Sequence, residues 1–409
     1  MYYKNSQQHF ISHDGTSLFY QHWASPHNSE KKAIVMFHRG HEHSGRMAHL
    51  VEELDLPDFD FFAWDARGHG ESPGERGDAP SFSACVKDIQ YFIQHIEQTY
   101  AIPSENIAIV AQSVGAVLAA TWVHDYAPKI RALCLASPAF DIKLYVPFAK
   151  QGLTLLNKLR GNFFIQSYVK AKMLTHDLER AQQYDHDPKI ARAISVRMLL
   201  GLYDAAERLV KDAQNIYVPT QVLCSGADFV VQQKPQRDFY ERLAHPNKEF
   251  HVLEGFFHDT LGEQNREIAV KKVRRFIQQC FAHPYDTPDI LNADKIGASC
   301  STAEQFSQPL PQKSLKQLFW NLTQRQLKFG SQFSKGLKIG EQTGYDSGST
   351  LDFVYRNQSE SQNLLGKVID QQYLNAIGWR GIRVRKQNIE SLLENMPHCW
   401  LKNVSLFAY

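Results

Sequence analysis

Ile107-Ala-Ile-Val-Ala-Gln-Ser-Val-Gly115, running on through Ala116-Val-Leu-Ala-Ala120 to Trp122, decides how this chain is read. The apolar run 107–110 reads as a buried strand and the stretch from Ala116 to Trp122 as a helix, which puts Ser113 on the corner between them. A corner this tight strains the serine backbone and lifts its hydroxyl clear of the sheet. Small residues at 111 and 115 let strand and helix approach without collision. Alone, small-x-Ser-x-Gly is a weak signal, because Gly- and Ser-rich loops produce it by chance.

The rest of the chain raises it. A serine nucleophile needs a base to take its proton, and the base needs an orienting carboxylate. Downstream, Thr220-Gln-Val-Leu-Cys-Ser-Gly-Ala-Asp228 reads as an apolar strand ending in a turn that carries an acid. Glu249-Phe-His-Val-Leu253 reads as a further strand, and Glu254-Gly-Phe-Phe-His258 places a histidine in the loop after it, before a helix expected over about Leu261–Phe281. The order Ser113, Asp228, His258 fits a catalytic triad. Asp238 and Asp259 are alternative acids, one on the polar face of a helix and the other with no strand before it. His245 and His251 are alternative bases, but neither ends a strand.

An oxyanion hole is expected from the first half. Lys32-Ala-Ile-Val-Met-Phe-His38 reads as a buried strand followed by the polar turn Arg39-Gly-His-Glu-His-Ser-Gly-Arg46. Backbone N–H groups of Gly40 (or Arg39) and Val114 are the candidate donors. These residues, with Phe62-Ala-Trp-Asp-Ala-Arg-Gly-His-Gly-Glu-Ser72, resemble the monoglyceride lipase/lysophospholipase group of α/β-hydrolases, a serine aminopeptidase-like group. Leu174-Thr-His-Asp177 and Tyr184-Asp-His-Asp-Pro188 resemble that group's lid. The likeness covers about 8–282, and its most specific block is Asp65–Ser72. It implies an α/β-hydrolase fold, with Ser113, Asp228 and His258 on the triad positions and monoacylglycerol or lysophospholipid-type substrates. Two positions depart from the pattern: Ala111 stands where Gly is common, and Arg39 where Gly follows the strand-ending His. Arg39 brings the oxyanion geometry into question. His69, inside the specific block, reads as part of a structural turn.

Composition fits an enzyme of this class. The 409 residues exceed one ordinary domain. With 45 Lys and Arg against 43 Asp and Glu, the net charge of +2 gives no reason to expect nucleic acid. The six cysteines, at 85, 134, 224, 280, 300 and 399, lack CxxC spacing, and Cys134 and Cys224 sit in apolar strands as core thiols. No metal or organic cofactor is called for. No signal peptide or membrane-spanning run is visible, so a cytoplasmic location is expected.

A hairpin is expected around Asp14-Gly15, then strands near 33–38, 60–65, 106–112, 131–137, 219–225 and 249–253, with a helix over 82–100. This alternation predicts a mostly parallel sheet with helices on both faces. It stops between Ala139 and Val218, where Leu144, Tyr145, Val146, Phe148, Leu153, Leu155, Leu156 and Leu159 and then Phe163–Val169 supply apolar residues in quick succession. A helical lid over about 141–215 is expected here, lining an acyl tunnel or touching a membrane surface. The hydrolase domain is assigned to 1–282, a Pro/Ser/Gln-rich linker to 283–312 and a smaller, mainly helical segment to 313–409.

In that last segment Thr343-Gly-Tyr-Asp-Ser-Gly-Ser-Thr-Leu-Asp-Phe-Val-Tyr-Arg-Asn357 and Tyr373-Leu-Asn-Ala-Ile-Gly-Trp-Arg-Gly-Ile-Arg383 resemble the leader of a class I methyltransferase family. Asp346–Thr350 has no strand before it, as a Rossmann-like cofactor site would need, so no methyltransferase activity is expected of these residues. Arg380–Lys386 reads as a solvated helix face. Trp379, Leu392, Leu393 and Trp400 are expected to stay uncovered, favouring self-association or a partner through 313–409. The expected activity is hydrolysis of carboxylic esters through an acyl-enzyme on Ser113. The alternatives are an acyltransferase or small-substrate peptidase using the same triad, and a non-catalytic scaffold disabled by Arg39.

Overall fold

The computed structural model describes residues 3–143, 149–285, 295 and 297–394. Leu144, Tyr145, Val146 and Phe148 of the apolar insertion, part of the stretch read as a linker, and Cys399 and Trp400 lie outside the described residues. By internal packing the chain forms two compact units, Met1–Gln305 and Phe306–Tyr409.

The first unit is built on eight strands, which fall where the sequence spacing predicts them. β1 (Lys4–Ile11) and β2 (Ser17–Ala24) form the antiparallel hairpin, with Gly15 turning it at φ +84°. β3 (Lys32–Phe37), β4 (Phe59–Trp64), β5 (Ile107–Gln112) and β6 (Ala132–Ala136) run parallel to one another. After an insertion carrying the short pair β7 (Phe164–Gln166) and β8 (Ala193–Ser195), β9 (Thr220–Ser225) and β10 (Lys248–Leu253) complete the order β1-β2-β4-β3-β5-β6-β9-β10. Side chains alternate across the central strands. β5 sends Ile107, Ile109 and Ala111 into one core and Ala108 and Val110 into the other, so both faces need helical cover.

On the first face lie α2 (Phe82–Tyr100), α3 (Val114–Tyr126), α6 (Val196–Asp212) and α7 (Gln233–Arg242). On the second lie α1 (Leu50–Glu53) and α8 (Glu267–Ala282). This is the α/β-hydrolase architecture. α8 starts six residues later than the expected Leu261, because the buried Glu263 carboxylate gathers the N–H groups of Phe257, His176 and Gln264 and holds that stretch as turns. The insertion between β6 and β9 also carries α4 (Ala149–Arg160) and α5 (Leu178–His186). α9 (Gly297–Ser307) is helical inside the Ser- and Gln-rich stretch that showed no periodicity, and the Ala298 N–H donates to Asp212 Oδ1 at 2.6 Å.

The second unit is helical: α10 (Leu315–Gly330), α11 (Lys335–Thr343), α12 (Gly348–Arg356), α13 (Leu364–Leu374) and α14 (Ile377–Glu394). Its core is Phe353, Val354 and Leu374, and Trp379 packs against it, 5.6 Å edge-on from Tyr373. Trp379 is therefore half-buried, contrary to expectation, while Leu392 and Leu393 are exposed. Buried Asp370 ties α13 to α11 and to the loop before α13 by accepting from Ser334 Oγ, Ser361 Oγ and Gly336 N–H. Asp346–Thr350 joins two helices, α11 to α12, and Arg380–Lys386 lies within α14. α10 exposes a row of Leu315, Leu318, Phe319 and Leu322.

Candidate active site

Ser113 directly follows β5 and precedes α3 with φ 55° and ψ −116°, a backbone conformation that L residues rarely adopt. Its N–H is held by the Ala136 carbonyl at 2.9 Å, and its own carbonyl accepts from Ala139 at 3.2 Å. The neighbouring glycine makes the corner possible. A β-carbon at Gly115 would lie 2.3 Å from the His38 carbonyl oxygen and 2.7 Å from that of Phe37, so any side chain there would force α3 away from β3.

Two loops, after β9 and β10, bring the predicted acid and base to this corner. His258 Nε2 lies 2.8 Å from Ser113 Oγ, and His258 Nδ1 lies 2.8 Å from Asp228 Oδ2. All three side chains are buried. The other Asp228 oxygen accepts the N–H groups of Val230 (2.7 Å) and Val231 (3.0 Å), which fixes the carboxylate plane. Burial alone would raise this carboxyl, but His258 and the two N–H groups hold it below its ordinary value. The rival groups are committed elsewhere. Asp238 pairs with Lys234, His251 with Glu249, and His245 accepts the Asn247 N–H. His69 donates to the Arg67 carbonyl, and burial, with His38 beside it, depresses it to about 3.

Gly40 and Val114 meet beside the serine, where a β-carbon on Gly40 would sit 2.9 Å from Val114 Cγ2. His38 Nδ1 bonds the Arg39 carbonyl at 2.7 Å while its Nε2 accepts the Ala66 N–H at 3.0 Å. In a trans peptide the Gly40 N–H then points opposite to that pinned carbonyl. The Arg39 side chain turns into a buried ionic cluster. It makes a bidentate pair with Glu42 (2.9 and 2.5 Å) and lies 3.4 Å from Asp259. Arg180, from α5 of the insertion, meets Asp259 at 2.6 Å, and Gln112 donates to the other Asp259 oxygen at 3.0 Å. Burial would raise the Asp259 carboxyl, but Arg180 and Arg39 drive it far below the usual range. The residues flanking Ser113 and His258 are thus tied together. Sequence spacing gave no sign of this cluster, since its members lie up to 220 positions apart.

A cavity of about 280 Å³ opens at the triad. Ser113, Val114, Gly40, His41 and His258 form its reacting end, and Leu153, Ile165, Val169, Leu199, Leu202 and Val230 supply apolar wall. Among the described residues no group of three or more His, Cys, Asp or Glu is arranged to hold a metal, and no helix is long and apolar enough to cross a membrane.

The family described as "Serine aminopeptidase, S33" matches residues 28–265, more than half of the chain and the whole span from β3 to the triad histidine. The chain belongs to this family. This S33-family chain carries an extension as well, since the family described as "Putative methyltransferase" matches residues 273–402. The Escherichia coli protein YnbC is 49% identical over 386 residues, covering 94% of this chain, and this chain spans 66% of YnbC. Mouse monoglyceride lipase is 26% identical over 258 residues, 61% of this S33 chain and 82% of the lipase. A soluble variant of Saccharomyces cerevisiae monoglyceride lipase, solved with a substrate analogue, superposes with TM-score 0.61 at 17% identity, over 68% of this chain and 95% of that one. That likeness shows the shared fold.

Proposed function

We propose that the protein is a serine hydrolase of carboxylic esters with apolar acyl chains, of the monoacylglycerol or lysophospholipid type. The observation that carries this reading is the hydrogen-bonded line Ser113–His258–Asp228 at the mouth of an apolar cavity. Ser113 Oγ attacks the acyl carbon while His258 Nε2 takes its proton, and the Oγ–C bond forms as the carbonyl π pair moves onto oxygen. The N–H groups of Gly40 and Val114 stabilise that oxyanion. Among the described residues no acceptor engages either N–H, which leaves both for it. His258 returns the proton to the leaving alcohol, and Asp228 holds the imidazole tautomer and stabilises the imidazolium. A water deprotonated by His258 then releases the acid. Similarity to a monoglyceride lipase supports the substrate class.

Fluorophosphonate labelling of wild type and Ser113→Ala, followed by a panel of monoacylglycerols, lysophospholipids and p-nitrophenyl esters, tests the reading. Labelling lost in Ser113→Ala, with turnover of long-chain esters by wild type, supports it. A folded wild type that takes no label overturns it.

A further inference from the structure

His41 lies in the oxyanion loop, its side chain is not used by the proposed chemistry, and it is expensively placed. It sits at φ +71°, in the left-handed region, next to Gly40 on the reacting end of the cavity. A non-glycine residue there is strained. Among the described residues its buried Nδ1 has no hydrogen-bond partner, a second cost that native structures rarely carry unexplained. The lid holds this backbone in place, since the Ala191 N–H donates to the His41 carbonyl at 2.9 Å. Burial and the nearby Arg39 and Arg192 charges depress the imidazole to about 4, against weaker opposing effects of Glu42 and the Ala191 backbone. The ring is therefore neutral at neutral pH.

A shut-in lone pair is cheaper to leave unmatched than a shut-in N–H. The favoured tautomer accordingly leaves Nδ1 bare and carries the proton on Nε2, on a ring that lines the cavity. We propose that His41 Nε2–H donates a hydrogen bond to a hydroxyl oxygen on the alcohol half of the substrate, so that the site selects esters of polyhydroxy alcohols over esters of simple alkanols. This rests on the serine-hydrolase reading above and names its head-group chemistry. A neutral donor on the oxyanion loop suits an uncharged hydroxyl, because the Arg39 cation nearby is already committed to Glu42 and Asp259. The polar half of the ester has to lie at this end, since the apolar wall takes the acyl chain.

The test compares kcat/KM for 1-glyceryl decanoate and ethyl decanoate, which share one acyl chain, in wild type, His41→Gly, His41→Phe and His41→Asn. The expected result is a fivefold to tenfold fall in the glyceryl-to-ethyl ratio for Gly and Phe, about the worth of one neutral hydrogen bond. Asn tolerates positive φ and keeps a donor, so it should recover part of the ratio. His41→Gly should also melt at a higher temperature than wild type, because it removes the strain and the orphaned nitrogen together. A ratio within twofold of wild type in both Gly and Phe variants overturns the inference alone. A wild type that hydrolyses neither ester overturns the serine-hydrolase reading and this inference with it.

Discussion

Asp259 Oδ2 lies 2.6 Å from Arg180 Nε, so the residue directly after the triad histidine is ionically bonded to helix α5 of the insertion. Both side chains are shielded from water, Asp259 almost completely. Removing one member leaves a desolvated charge short of a partner, whereas an exposed pair would cost little. Arg180→Ala and Asp259→Asn should each destabilise the first unit by about 3 kcal/mol. Urea denaturation of the full chain at pH 7 measures this, and losses under about 1 kcal/mol in both would show that water reaches the cluster.

Ser113 is held at φ 55°, ψ −116°, where an L residue is strained. Ser113→Gly relieves the backbone and should raise stability by about 1 kcal/mol, visible as a higher Tm. The same change removes the proposed nucleophile, so ester turnover should fall by roughly 10⁴-fold or more. A lower Tm would mean that the corner is unstrained.

Acid should unfold this protein early. Burial is the main cause that holds His41 and His49 at about 4 and His69 at about 3, aided by Arg39, Arg180 and His38 respectively. Unfolded histidine titrates near 6.5, so between about pH 6.5 and 4 the unfolded chain binds more protons than the folded one. The stability these neutral rings contribute is complete above that window and is lost as pH falls through it. The depressed carboxyls of Asp228 and Asp259 add their own loss only below about pH 4. His49→Gln keeps a donor for the Leu261 carbonyl and should flatten the dependence of unfolding free energy on pH between 6.5 and 4.5. An unchanged slope would count against a buried neutral His49.

Chain length should matter until the cavity is full. Each methylene moved from water onto the apolar wall contributes about 0.8 kcal/mol, or roughly a fourfold rise in kcat/KM. A p-nitrophenyl ester series from acetate upward should climb and then level off. Leu202→Trp, which fills part of the wall, should move the plateau to shorter chains. A flat series would argue against acyl-chain binding in this cavity.

The strands and the corner were legible because their cause is local. Ile107–Val110, the small residues beside Ser113 and the apolar runs before Asp228 and His258 announce themselves over five to nine residues, and the sheet followed from their spacing. Helix α9 was hidden because its Ser- and Gln-rich composition carries no apolar stripe, although Ala298 is tied to Asp212. Trp379 was misplaced for a similar reason, since its cover comes from Tyr373 and a three-residue core that no periodicity marks.

Arg39 shows where local reading ends. From sequence it is a lone departure from the expected glycine, which placed the oxyanion hole in question. In the fold its charge is matched by Glu42 and Asp259, with Arg180 on the far side, and its side chain leaves the Gly40–Val114 junction intact. The sequence by itself determined the sheet, the corner serine and the chain order of acid and base, because periodicity and turn chemistry act between near neighbours. Only the tertiary structure decided which charges pair, which histidine is left unpartnered and what the cavity wall is made of. Those depend on side chains that burial brings together from distant parts of the chain, where low dielectric makes each partner or its absence count.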